Sequence, residues 1–157
     1  LTTLKHEYPQ LGGNYEVIHH SEFIEQLVQQ GKIKLNKSLQ GTLTYHDPCY
    51  LGRYNNIFDQ PRNLLNAVSD SGVQELERSG RESFCCGAGG GRMWMEETIG
   101  KRINIKRSEE ILDKQVANVA VGCPFCLTMI EDGMKEMGKE ETIKTMDIAE
   151  LVEKNMK

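Results

Sequence analysis

The chain has no block of lysine and arginine, only four prolines and one tryptophan, and no long apolar run. Nucleic-acid phosphates are neutralised by clustered positive charge, so the missing basic footprint and the formal charge of -4 exclude a nucleic-acid partner. The most apolar stretch, Val116 to Phe125, is interrupted by Asn118, Gly122 and Pro124 and is too short to span a bilayer, so no membrane span lies in this segment. The scarcity of proline, with 27% charged and 38% hydrophobic residues, excludes collagen-like and disordered chains. No leader pattern is present, and the sequence starts at Leu1 within a helical pattern, which reads as a piece of a longer protein. A length of 157 residues suits one domain able to bury its own core.

Five cysteines are present, an odd number that no fully paired disulfide framework accommodates. A chain with a core of its own has no need of disulfide staples, so a reducing, cytoplasmic compartment with cysteines acting as ligands is expected.

Strand and helix patterns alternate, which predicts an α/β layered fold with a mainly parallel sheet flanked by helices and cysteine loops converging at strand ends. Tyr15 to Ile18 reads as a short strand, and Ser21 as the N-cap of a helix over Glu22 to Gln30. Gly41 to Tyr45 is strand-like, Asp59 to Val68 is helical with Pro61 in its first turn, and Val73 to Arg78 is a weaker strand. Arg92 to Lys114 reads as one long amphipathic helix. Val116 to Val121 is almost continuously apolar, as buried parallel strands are, and delivers Cys123 at its C-terminal end. Leu127 to Met137 is helical, Thr142 to Thr145 a last strand, and Asp147 caps a final helix over Ile148 to Asn155.

A faint internal echo relates Leu1 to Lys5 with Leu127 to Glu131, and Glu22 to Glu25 with Glu150 to Glu153. As a repeat, it makes residues 1–40 the tail of a preceding unit and 41–157 a complete one; two amphipathic helices that merely share a pattern are the alternative.

The cysteines fall in three groups: Cys49, the adjacent pair Cys85 and Cys86, and Cys123-Pro124-Phe125-Cys126. Each group adjoins proline or glycine, which places the thiols on loops at element ends, where separate parts of a chain can gather around a metal. Adjacent cysteines strain a disulfide, and zinc takes four ligands from spaced pairs, whereas a polynuclear iron–sulfur centre can use both Cys85 and Cys86. The glycines that follow, with Gly87 and Gly89 foremost, let backbone N–H groups approach an anionic centre. They do not form a dinucleotide fingerprint, because Arg92 stands where the third glycine belongs and no Walker lysine follows. Arg53 and Arg92 are candidates to bring positive charge to the centre, with solvated surface arginines the alternative. His46 reads as a hydrogen-bonding loop residue beside the ligands, with a ligand or a proton donor the alternatives; His19 and His20 are capping or strand-end residues, and Met93, Trp94 and Met95 are core, with cofactor-facing packing the alternative. A structural zinc module, a metal-free dithiol reductase cycling Cys123 and Cys126, and a flavoprotein-docking module stay open as alternatives.

HDPCYLGR at 46–53, CCGAGGG at 85–91 and CPFC at 123–126 resemble the cysteine-rich CCG domain of the heterodisulfide reductase catalytic subunit and related iron–sulfur proteins. GRYNNIFDQPRNLL at 52–65 resembles bacterial membrane-associated reductases that pass electrons between electron-transfer flavoprotein and quinone. The resemblance implies an iron–sulfur oxidoreductase in which Cys49, Cys85, Cys86, Cys123 and Cys126 ligate a noncubane [4Fe–4S] cluster, some copies of the motif being regarded as zinc sites. It further implies a preceding CCG repeat, a flavoprotein or dehydrogenase donor, a quinone or disulfide acceptor, a parent protein anchored to the cytoplasmic membrane, and no activity in this segment alone.

Overall fold

The computed structural model describes residues 1–157. Three parallel strands, β1 (Leu43–His46), β2 (Asn118–Val121) and β3 (Lys144–Asp147), lie in the order β1-β2-β3. In register, His46 pairs with Val121, and Val121 with Asp147, so all three strands end side by side. The helices are α1 (His20–Gln29), α2 (Gly52–Asn55), α3 (Asp59–Val68), α4 (Ile103–Asp113), α5 (Pro124–Glu136) and α6 (Ile148–Lys154).

Because strand side chains alternate between faces, β1 and β2 feed two cores. Leu43, Tyr45 and Ala120 meet Leu64 and Leu65 of α3 and Ile148 and Leu151 of α6. Val119 and Val121 meet Ile111 of α4 and Met129, Ile130 and Met134 of α5. β2 is therefore buried on both faces, as its apolar run predicts. The same alternation turns Thr44 and His46 away from the α3 and α6 layer. Ile24 and Val28 of α1, with Leu35 and Leu39, pack on the core beside α3 and α6. No helix is long and apolar enough to cross a membrane.

Asp59–Val68 is helical as expected, and Asp147 caps α6, accepting from Ala149 N–H at 2.8 Å while Glu150 accepts from Asp147 N–H at 2.9 Å. Four expectations need correction. Tyr15 to Ile18 forms no strand, since no neighbouring strand pairs with it, and Tyr15 is exposed. Val73 to Arg78 contributes only a single bridge from Val73 to Leu43. The N-cap of α1 is His19, not Ser21. The long helix over Arg92 to Lys114 is broken: a tight turn over Gly89–Trp94 precedes an irregular stretch with Gly100 at φ 74°, and α4 starts only at Ile103.

The two helices over the β2 core, α4 and α5, pack against each other at Gly133. A Cβ there would overlap Ser108 Oγ and come within 3.1 Å of the Asn104 carbonyl oxygen. Alanine normally favours a helix by about 1 kcal/mol over glycine. At this contact the overpacking penalty, about 1–3 kcal/mol, outweighs that gain. Gly133→Ala is expected to lower stability in urea denaturation, and Gly133→Ala with Ser108→Gly to recover part of the loss.

Candidate metal centre

The three cysteine groups leave the sheet at its C-terminal edge. Cys49 lies on the turn between β1 and α2. Cys123 is the N-cap of α5, directly after β2, with Pro124 at the first helical position and Cys126 in the first turn. Cys85 and Cys86 occupy an extended stretch after a tight turn over Gly80–Glu82.

The second group is tied to the first by a buried carboxylate. Asp47, 3% exposed, accepts from both terminal nitrogens of Arg62 at 2.8 and 2.9 Å and from Gly80 N–H at 2.8 Å. Ser83 Oγ donates to the Asp47 carbonyl at 3.1 Å, and Arg53 donates to the Ser83 carbonyl at 2.7 Å. The Asp47 charge is thus compensated by a two-pronged ion pair and a backbone donor, which a buried carboxylate requires. Arg53 fastens these loops together, and Arg92 pairs with Glu97; neither lines the cysteine cavity.

All five cysteines line one cavity of about 250 Å³. Cys86 and Cys126 are buried, with their sulfurs 3.4 Å apart, and the other three are half-buried. No disulfide forms. Gly87 adopts φ 94°, donates its N–H to Cys85 Sγ at 3.3 Å and leaves 3.1 Å between a notional Cβ and Asn104 N, so a side chain here is excluded twice over. Gly89, Gly90 and Gly91 form part of the wall.

The thiols share their protons unequally. Hydrogen bonds from Cys126 and then Cys85 pull Cys86 well below the usual thiol range. Cys123 falls to about 6, chiefly through the Cys126 thiol, helped by N–H groups of Cys126 and Phe125 at the start of α5. Cys126 and Cys85 are pushed up, mainly because they give those hydrogen bonds, and burial raises Cys49. The cavity therefore accumulates thiolate character at Cys86 and Cys123. A set of five soft sulfur donors, with no carboxylate or basic side chain on the wall, fits an iron–sulfur group.

His46 is not on a loop but is the last residue of β1, 1% exposed, and burial lowers its basicity. One ring nitrogen and the sulfurs of Cys86 and Cys126 lie within 4.8 Å of one another. Met93 packs on the β2 core as expected and, with Trp94, lines the cavity; Trp94 is 82% exposed and Met95 is exposed too, so the core reading fails for these two, and Trp94 takes the cofactor-facing alternative. Tyr50 and Phe125, both exposed, complete an apolar mouth. The residue missed in the sequence is Arg107, fully buried behind His46. Its signal was a charge on the apolar stripe of α4, four residues from both Ile103 and Ile111.

His19 holds the third loop from outside. Its Nδ1 accepts from Ser21 N–H at 3.2 Å, and its Nε2–H donates to the Gly122 carbonyl at 3.1 Å. Burial first, and His20 second, lower its pKa from 6.5 to about 4. Between those values the unfolded chain binds a proton that the folded chain refuses, so this contribution to stability is lost as pH falls through that window. Wild type is expected to lose stability from pH 6.5 towards 4 more steeply than His19→Asn, which keeps a capping side chain; denaturation midpoints at stepped pH measure the difference.

The family model of the cysteine-rich domain CCG matches residues 43–131. The chain is 49% identical to the EtfAB:quinone oxidoreductase of Syntrophomonas wolfei over 99% of its own length and 22% of that protein. It is 47% identical to the probable iron-sulfur-binding oxidoreductase FadF of Bacillus subtilis, over 94% of this chain and 21% of that protein. With one component of the dihydromethanophenazine:CoB–CoM heterodisulfide reductase of Methanosarcina acetivorans it shares 35% identity, over 94% of this chain and 36% of that polypeptide. The chain thus spans roughly a fifth to a third of these relatives. With its three cysteine groups gathered at one sheet edge and more than half its length matched by the model, the chain belongs to the CCG cysteine-rich domain family.

Proposed function

We propose that Cys49, Cys85, Cys86, Cys123 and Cys126 together ligate a noncubane [4Fe–4S] cluster, through which the longer protein moves electrons between a flavoprotein or dehydrogenase and a quinone or disulfide. The observation that carries this reading is that five thiols from three separate loops line a single cavity. Relatives named for electron transfer to quinone and for heterodisulfide reduction support the donor and acceptor classes.

When bound, the cluster supplies a one-electron relay. The chain's own residues supply the rest. Cys86 and Cys123, already biased towards thiolate, offer charge without a strong base nearby. Gly87 N–H, already aimed at Cys85 Sγ, stabilises negative charge on that sulfur. The exposed apolar mouth of Tyr50, Trp94 and Phe125 offers a contact surface. In this reading residues 1–40 end a preceding repeat that faces the mouth, 41–157 form the cluster domain, and the parent protein is membrane-anchored with these domains in the cytoplasm. The chain alone then has no acceptor site and turns over no substrate.

A structural zinc site is the second reading, favoured by the His46, Cys86 and Cys126 triad. Anaerobic reconstitution with iron and sulfide, followed by metal analysis and EPR, separates the two. About four irons per chain are expected, with Cys85→Ser or Cys86→Ser losing most of the iron and the signal. One zinc per chain and no iron uptake sinks the cluster and the electron-transfer role with it.

A further inference from the structure

His46 has the position of a ligand and the hydrogen bonding of something else. Its backbone is fixed by pairing with Val121 in the parallel sheet, and strand alternation points its ring towards α4. There Arg107 donates its Nε–H to His46 Nδ1 at 3.1 Å. Arg107 is itself fully buried and held in place: one terminal nitrogen donates to the Arg78 carbonyl at 3.1 Å and lies 2.9 Å from a Glu110 carboxylate oxygen. Glu110 is anchored in turn by Arg78, which reaches it at 2.7 Å.

A guanidinium is a donor only and does not give up its protons inside a protein. Nδ1 of His46 must therefore present its lone pair, which excludes both the Nδ1–H tautomer and the doubly protonated ring. The ring's single hydrogen is left on Nε2. That is the wrong tautomer for a metal ligand: a histidine that binds a metal through Nε2 gives its Nδ1–H to a carboxylate or carbonyl, and here a donor occupies that place. It is the right tautomer for donating to sulfur. The ring stands beside Cys86 and Cys126, with one ring nitrogen within 4.8 Å of both sulfurs while Nδ1 is engaged by Arg107.

We infer that His46 is not a metal ligand but a positioning residue, which donates its Nε2–H to the Cys86 sulfur and is locked in that tautomer by the buried Arg107. The second half rests on the proposed ligation by Cys86; the tautomer does not. No proton or electron is transferred. A hydrogen bond to a ligating sulfur favours the more negative, reduced state of a cluster and so raises its potential. The inference also removes His46 from the donor set of a zinc site.

Nitrogen-15 NMR of the unmodified, metal-free chain reads the tautomer directly, whether or not a cluster can be loaded. The expected spectrum has His46 Nε2 protonated and Nδ1 bare, and Arg107→Met redistributes the two forms; a protonated Nδ1 in the unmodified chain overturns the proposal. In the reconstituted protein His46→Leu is expected to keep the wild-type iron content and shift the midpoint potential to more negative values in an EPR-monitored titration. Loss of iron on that substitution, with the fold intact by circular dichroism, identifies a ligand and overturns it, as does an unchanged potential. A wild-type chain that takes up no iron defeats the cluster reading instead, and the tautomer result then decides this one.

Discussion

Parallel pairing of β2 with β1 and β3 brings three strand ends to one edge, and the rest of the molecule depends on that register. His46 ends opposite Val121, so the turn carrying Cys49 and the helix start carrying Cys123 and Cys126 emerge next to each other. Slipping either strand by one residue would turn the apolar side chains of β1 and β2 to the wrong layer and separate the thiols, and the burial of both faces of β2 opposes that slip. The site is thus specified by the same hydrophobic pattern that specifies the fold.

The remaining cysteines belong to no strand and are held by polar chemistry. Cys85 and Cys86 follow a stretch anchored through Gly80 and Ser83 to Asp47, whose charge is met by Arg62, which also grips Glu75 at 2.6 Å. Behind the pair, Arg107 joins His46 to Glu110 and the Arg78 carbonyl. Such buried charges cost desolvation and return it only when almost every donor and acceptor is matched. Their value here is geometric: they fix a loop without secondary structure of its own against a rigid sheet edge. The apolar residues near the site, Trp94 and Phe125, are instead left at the surface, where a partner face can cover them.

Much of this was legible in the sequence because it follows local rules. The buried strand ending at Val121, the helix with Pro61 in its first turn and the Asp147 cap each rest on short-range pattern, and all three stand in the structure. The convergence of the cysteine groups was legible from their placement beside turn residues. What was not legible required long-range pairing or charge burial. Tyr15 to Ile18 has strand composition but no strand to join. The run through Arg92 keeps helical spacing, yet Gly100 in the left-handed region breaks it, so Trp94 lies at the cavity and not in the core. The roles of His46 and Arg107 emerge only from the fold, since 61 residues separate two side chains that are hydrogen-bonded to each other.

The central claim is that all five cysteines serve one polynuclear centre. Anomalous diffraction at the iron edge, from crystals of the anaerobically reconstituted chain, tests it most directly. The account predicts iron density confined to the cavity between the three loops, with the sulfurs of Cys49, Cys85, Cys86, Cys123 and Cys126 all bonded to it. A single metal atom held by four donors, with Cys49 or Cys85 free in solvent, would contradict it.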